Sequence, residues 1–377
     1  MVRLFVALLL AQHFEVVSDC GGSIAPPVND APATQLAMGG FHGCRVEAGT
    51  LRCWGANDRG QLGLGTSGAP ELRARDVSLE EAVAQVMTGE KTTCARTVTG
   101  RVWCWGDNGG GQLGRPEPAF SATPLEITVP VPVASIALDS DYVLALGSDG
   151  RLFGWGNAAE GTLGRDDPRP EAYPVVSPVV RAAFDVKFKT ITSGQGHACG
   201  IDLSNALWCW GRNVRQEIGV GSAEHQVRKP ARVLENVSAV ASGAFGSCAI
   251  RGSELLCWGE MPIDDAGQLF AQPTPAVMPL GGATPRQLDL MWFHGCVTTT
   301  DDRLFCWGRG IEGQLGDGLT QPSATPVEIT GNVASLATGF FSTCLRRTSG
   351  ALECMGASDQ GQLGLGDTNR RSTPTPQ

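Results

Sequence analysis

Histidine is scarce in this chain, with five in 377 residues, and charged side chains supply only 18% of it. Basic residues are outnumbered, 29 against 38 acidic, for a formal net charge of −9. That balance argues against nonspecific nucleic-acid binding, which rests on surplus Lys and Arg. The densest basic run, Arg228-Lys229-Pro230-Ala231-Arg232, falls in a connection and reads as solvated surface. No stretch sustains a 3.6-residue apolar period with caps, so the chain lacks the signal of amphipathic helices. Long apolar runs are missing too. The longest, Leu4 to Ala11, is too short to span a bilayer. No Gly-rich phosphate loop, serine elbow or Cys–His dyad is present, so no catalytic constellation and no cofactor are expected.

What the chain has is a repeat. Cys-Trp-Gly stands at residues 53–55, 104–106, 209–211, 257–259 and 306–308, and decays to Gly154-Trp155-Gly156 and Cys354-Met355-Gly356. Successive copies are 51, 50, 55, 48, 49 and 48 residues apart. A second block follows each, as in Gly60-Gln61-Leu62-Gly63 and Gly361-Gln362-Leu363-Gly364. Short β-branched runs alternate with Gly, Pro, Asn and Asp clusters, the pattern of short strands and tight turns. About four strands per unit, repeated seven times, predicts an all-β fold. The architecture expected is a seven-bladed β-propeller of four-stranded antiparallel blades over residues 34–377. The second block departs from its pattern at Gln216, which stands for the leading Gly, and at Phe270, which stands for the last; altered loops are expected there.

Twelve of the 13 cysteines form one pair per repeat. The pairs are Cys44 with Cys53, Cys94 with Cys104, Cys199 with Cys209, Cys248 with Cys257, Cys296 with Cys306, and Cys344 with Cys354. The third repeat has Leu144 and Gly154 instead, losing both partners together. Joint presence and joint absence favour disulfides over buried thiols or zinc ligands, since a zinc site needs its ligands clustered. If the partners face each other across a hairpin, a spacing of nine leaves a two-residue loop, Ala48-Gly49 or Gly252-Ser253. A spacing of ten leaves three residues, the last of which must accept a left-handed conformation. Those last residues are Gly100, Gly150, Asn205, Asp302 and Gly350, all tolerant of it.

Gly-x-x-His-x-Cys, then Cys-Trp-Gly-x-Asn-x-x-Gly-Gln-Leu-Gly, resembles the regulator of chromosome condensation repeat. The resemblance implies a seven-bladed propeller. The family's namesake activity, nucleotide exchange on a small nuclear GTPase, fits disulfides poorly, and the Gly-Trp-Arg-His-Thr motif of a photoreceptor relative is missing here.

Disulfides require an oxidising compartment. Residues 1–19 accordingly read as an export signal, with Arg3 ahead of the apolar run. Residues 20–33 read as a Pro/Ala/Gly-rich linker. Part of it, residues 24–32, is expected to complete the last blade in preference to the C-terminal Thr373-Pro374-Thr375-Pro376-Gln377. Two readings of the start remain open. Cys20 is a candidate lipidation site, although Asp19 departs from the small residue expected before it; the other reading is a cleaved, secreted protein. Either way the protein is expected outside the cytoplasm, as a monomer, touching membrane only through such a lipid.

The turn before each hairpin carries the one candidate site. Three residues before the first Cys stand Phe41, Lys91, Asp141, Gly196, Phe245, Phe293 and Phe341; Trp292 and Phe340 precede two of them. These turns follow a Gly in five of seven repeats and should open on one face. Two readings compete: packing between blades, or an exposed aromatic face for a protein partner. His42, His197 and His294, two residues before their Cys, are expected to bond within their blades. Among relatives, a β-lactamase-inhibiting propeller binds its target through a face with an aromatic before His. Phe41-His42 and Phe293-His294 match that pattern, and it adds both histidines to the candidate partner-binding set, although that enzyme does not carry over as the target. The function expected is a non-enzymatic binding scaffold; a carbohydrate- or cell-wall-binding propeller is the alternative, with nucleotide exchange or an enzyme behind them.

Overall fold

The computed structural model describes residues 35–157, 159–164, 175–182, 184–262 and 269–377. The candidate export signal, Cys20 and the linker lie outside the described residues, and so does the loop at 263–268 that leads to Phe270.

Among the described residues, twenty-eight strands form seven separate four-stranded antiparallel sheets, each consecutive in sequence. The first blade is Gln35–Met38, His42–Glu47, Thr50–Asn57 and Gly68–Val77, running from the channel outward. Inner strands are apolar and buried, whereas outer ones such as Gly68–Val77 alternate and face solvent. The last blade takes its outer strand, Arg371–Pro376, from the C-terminus. All four strands of blade 7 follow one another, so the C-terminal segment supplies its outer strand; residues 24–32, preferred for that place, lie outside the described residues.

All six cysteine pairs are disulfides within single hairpins. Cys44 is bonded to Cys53, Cys94 to Cys104 and Cys199 to Cys209. Cys248 is bonded to Cys257, Cys296 to Cys306 and Cys344 to Cys354. The partners stand directly opposite each other in the strand register, as in Cys44 against Cys53 and Cys199 against Cys209. Their Cα atoms are 4.1 Å apart in every pair. The turns have the expected chemistry. Ala48 and Gly49 both hold positive φ, 49° and 82°, whereas Gly252 does so alone in its turn at 59°. The closing residues of the three-residue loops, Gly100, Gly150, Asn205, Asp302 and Gly350, all have φ between 61° and 92°. In blade 3, Leu144 sits opposite Gly154 and is fully buried. A Cβ on Gly154 would lie 2.8 Å from the Leu163 side chain and 3.2 Å from that of Leu144, so these two branched residues fill the space of a disulfide.

The second repeat block joins blades. Trp105 donates from Nε1 to the Gln61 carbonyl at 2.9 Å, Trp155 to Gln112 at 2.7 Å, Trp210 to Thr162 at 2.8 Å and Trp258 to Glu217 at 2.8 Å. Each indole thus reaches the loop of the preceding blade. The final Gly of that loop must be small and left-handed: at Gly63, φ is 72° and a Cβ would meet Trp105 Nε1 at 2.7 Å. Blade 4 keeps this loop, against expectation. Gln216 takes the left-handed conformation itself, φ 61°, and retains the Gln216 N–Asn213 O and Gly219 N–Gln216 O bonds. The cost, roughly 1–2 kcal/mol for a residue with a Cβ, is set against a buried network in which Glu217 accepts from Arg215 N and Arg212 Nε.

Candidate functional site

The inner strand of each blade ends at the channel mouth, and the turn that follows starts with Gly39, Gly89, Gly194, Gly243 or Gly339 in five blades. These turns hydrogen-bond around the mouth: Gly40 N to Gly89 O at 3.1 Å, Ala244 N to Trp292 O at 3.0 Å and Phe340 N to Gly39 O at 3.1 Å. Backbone packs on backbone there, and a Cβ on Gly39 would lie 2.2 Å from Gly89 O.

Next in the turn come the candidate aromatic residues, and the structure brings them together. Phe245 lies 5.5 Å from Phe293 between ring centroids, Phe293 5.3 Å from Trp292, Trp292 5.8 Å from Phe341, and Phe341 5.9 Å from Phe41. The result is a continuous arc over blades 5, 6, 7 and 1. These five rings are partly buried, less exposed than the sequence reading requires, because each leans on its neighbour across a blade boundary. Phe340 is a correction: it is 4% exposed, under Trp292 at 4.0 Å in an edge-to-face contact. Trp292 itself has a left-handed backbone, φ 49°, and its Nε1 is buried without an acceptor among the described residues. Arg212 and Arg215, which the sequence reading missed, extend the arc into blade 4 by stacking 5.2 and 4.8 Å from the Phe245 ring centroid.

His42 and His294 leave the candidate set. Both are buried, and their bonds run between blades, not within them as expected. His42 Nε2 meets Thr93 Oγ1 of blade 2 at 2.8 Å, and that hydroxyl donates to Gln61 O; the ring nitrogen must therefore carry the hydrogen. His294 and Thr343 repeat the arrangement at 2.9 Å, and His197 meets Ser247 at 2.9 Å. Burial depresses all three imidazoles, His42 to about 4 and His197 and His294 to about 3. Neutral, hydrogen-bonded rings of this kind are structural. Among the described residues, no group of three or more His, Cys, Asp or Glu is placed to hold a metal.

Two blades break the glycine rule at the mouth, with Asp139 in blade 3 and Met291 in blade 6. The signal was present in the sequence, as the two exceptions to five glycines. Asp139 is 7% exposed, and burial raises its carboxyl to about 7, helped by Asp141. Deeper in the channel, Asp289 is also buried and raised to about 7, while it accepts from Thr338 N at 2.6 Å and Thr338 Oγ1 at 3.1 Å.

The comparisons agree with this architecture. The human regulator of chromosome condensation is 27% identical over 346 residues, covering 79% of this chain and 77% of its own length. The Arabidopsis thaliana ultraviolet-B receptor UVR8 is 24% identical, over 70% and 62%. Among solved structures, human WBSCR16 superposes with a TM-score of 0.76 at 20% identity, covering 87% of this chain and 94% of its own. Prp20p of Saccharomyces cerevisiae gives 0.71 at 22% identity, over 81% and 80%. Residues 23–340 match the RCC1-like domain, and with seven sequential blades latched by the Trp and Gly-Gln-Leu-Gly blocks, the chain belongs to that family.

Proposed function

We propose that this chain is a non-catalytic binding scaffold that receives a protein partner on the aromatic arc of blades 5, 6, 7 and 1. The arc carries the reading. Five partly buried rings from four blades, four of them at one repeat position and Trp292 one residue before it, form a single surface with two stacked guanidinium groups at its end. Aromatic and Arg side chains are the usual energetic centres of protein interfaces. Trp292 adds a second sign: a left-handed backbone at a bulky residue is costly and clusters at functional sites. Its Nε1 is buried with no acceptor among the described residues.

The relatives support a protein as the partner. Yeast RCC1 (Prp20) was crystallised bound to Kap60, and Prp20p is described with binding properties toward Gsp1p and histones. None of those partners transfers to this chain. Its six disulfides favour an oxidising compartment, and we place its work outside the cytoplasm, as a monomer. The test is affinity capture from extracytoplasmic extract with the oxidised protein, run beside Phe341→Ala. A partner retained by the parent and lost by the variant supports the arc. Retention by both, or elution by soluble glycans, overturns it.

A further inference from the structure

The mouth of the channel holds an acid where the repeat calls for no side chain. Asp139 lines a small recess with Ser140, Gln195, Ala244, Trp292 and Phe340. One carboxylate oxygen, Oδ2, is buried there without a hydrogen-bond partner among the described residues. A buried carboxylate oxygen with no donor costs free energy unless something supplies one. Trp292 and Phe340 also line it, edge to face with ring centroids 4.0 Å apart. The space between is about that of one water molecule.

We propose that this recess receives the ammonium group of a lysine side chain from the protein partner, held by the Asp139 carboxylate and the Trp292 and Phe340 rings. This rests on the scaffold reading, because it names the chemistry of the partner at the edge of the same arc. Ring faces attract cations, most strongly where water is excluded. The recess suits a compact ammonium better than a planar guanidinium, which needs several acceptors placed in one plane. The charges around Asp139 agree. Asp141 and Glu90 face it and push its carboxyl up, as negative neighbours do; Arg212 is the one opposing charge. Arg212 is already committed, at 2.8 Å to the buried Glu217 carboxylate and 2.6 Å to Ala244 O. A cation entering the mouth therefore meets a net negative field. With the carboxyl raised to about 7, the recess is mostly neutral below pH 6 and charged above pH 8.

n-Butylammonium, which has the shape of the end of a lysine side chain, is the probe. It is titrated into the free protein at pH 8.5 while the Trp292 indole N–H resonance, assigned with Trp292→Phe, is followed by NMR. Saturable binding in the millimolar range is expected, weakened at least tenfold by Asp139→Asn and by lowering the pH to 5.5. Equal binding by Asp139→Asn, equal binding at both pH values, an equal response to n-butanol, or no response at all overturns the proposal. The pH arm needs no variant, so a poorly folded Asp139→Asn protein leaves the test intact. Leu319→Ala, at an exposed side chain outside both the recess and the arc, should bind n-butylammonium as the parent does. The probe needs no partner, so the two readings fail separately: a silent recess beside an arc that still captures its partner refutes the lysine alone.

Discussion

The indole Nε1 of Trp54, in the first blade, donates to the carbonyl of Gln362, in the last, across 2.8 Å. It is the same bond that Trp105 makes to Gln61, carried over the seam where the first and last blades meet. Among the described residues the ring closes through a repeat bond, with no strand shared between the first and last blades. Nearby, Gly366 N donates to Leu72 O and Phe340 N to Gly39 O. Replacing Trp54 by Phe should therefore cost about 0.5–1.5 kcal/mol for the lost bond, and more because the buried carbonyl is stranded. Trp307 is the internal control: its Nε1 has no partner among the described residues. Trp307→Phe should cost clearly less in chemical denaturation. Equal losses would mean that ring packing, not the bond, stabilises the seam.

Leu144 gives a second test. Blade 3 holds its hairpin without a disulfide, by placing Leu144 against Gly154. Leu144→Ala leaves a cavity in a fully buried site and should cost about 2–5 kcal/mol. Losing one hairpin disulfide, which closes a loop of about ten residues, should cost on the order of 2–3 kcal/mol. Unfolding curves of Leu144→Ala and of the double variant Cys94→Ala with Cys104→Ala should thus fall close together. Peptide mapping without reduction should recover six links, each within one blade.

The repeat made the fold legible because its residues are fixed by local chemistry. Gly100 and Asn205 must turn left-handed, and Cys94 must face Cys104 as Cys296 faces Cys306, whatever the rest of the chain does. The contacts between blades were less legible. His42 bonds Thr93, 51 residues away, and no local pattern tells a ring to cross to the next blade. Exposure was misjudged for a related reason. Phe340 and Phe341 are neighbours in sequence, yet one is buried under Trp292 and the other lies on the arc, a distinction made by how turns from different blades lean together. Asp139 was not legible as a site, because the repeat supplies a glycine at its position in five of seven blades. Its meaning lies in the glycine it replaces.

The buried titratable groups predict an opposed pH dependence. His42, His197 and His294 have folded pKa values lowered to about 4, 3 and 3. Between these and about 6.5, the unfolded chain binds more protons at these sites, so their contribution to stability is lost as pH falls. Asp139 and Asp289 are raised to about 7, so the folded chain binds more protons there between about 4 and 7. Their contribution is lost as pH rises through that window. From pH 4.5 to 6 three groups oppose two. The parent should gain stability only modestly with rising pH, and the double variant Asp139→Asn with Asp289→Asn should gain it more steeply, by a slope equivalent to two protons. Parallel curves for the two proteins would show that neither carboxyl is held protonated.

The arc yields the last prediction. Its rings differ in burial, so the same substitution should act on different quantities along it. Phe340 is 4% exposed, and Phe340→Ala should destabilise the fold by about 3–5 kcal/mol, as core truncations do. Phe341 and Trp292 are partly exposed and share a contact at 5.8 Å. Alanine at either should weaken partner binding by roughly 1–4 kcal/mol, at a smaller cost in stability than Phe340→Ala. Being in contact, the two should not add, and the double variant should lose less affinity than the sum of the singles. Lys91, at the same repeat position in blade 2, pairs at 2.8 Å with Asp58 and stands outside the arc. Lys91→Ala should leave affinity almost unchanged. A uniform loss around all seven turns, Lys91 included, would make the whole rim the interface. Core-like destabilisation by Phe341→Ala and Trp292→Ala, with affinity per folded molecule intact, would reduce the arc to packing between blades.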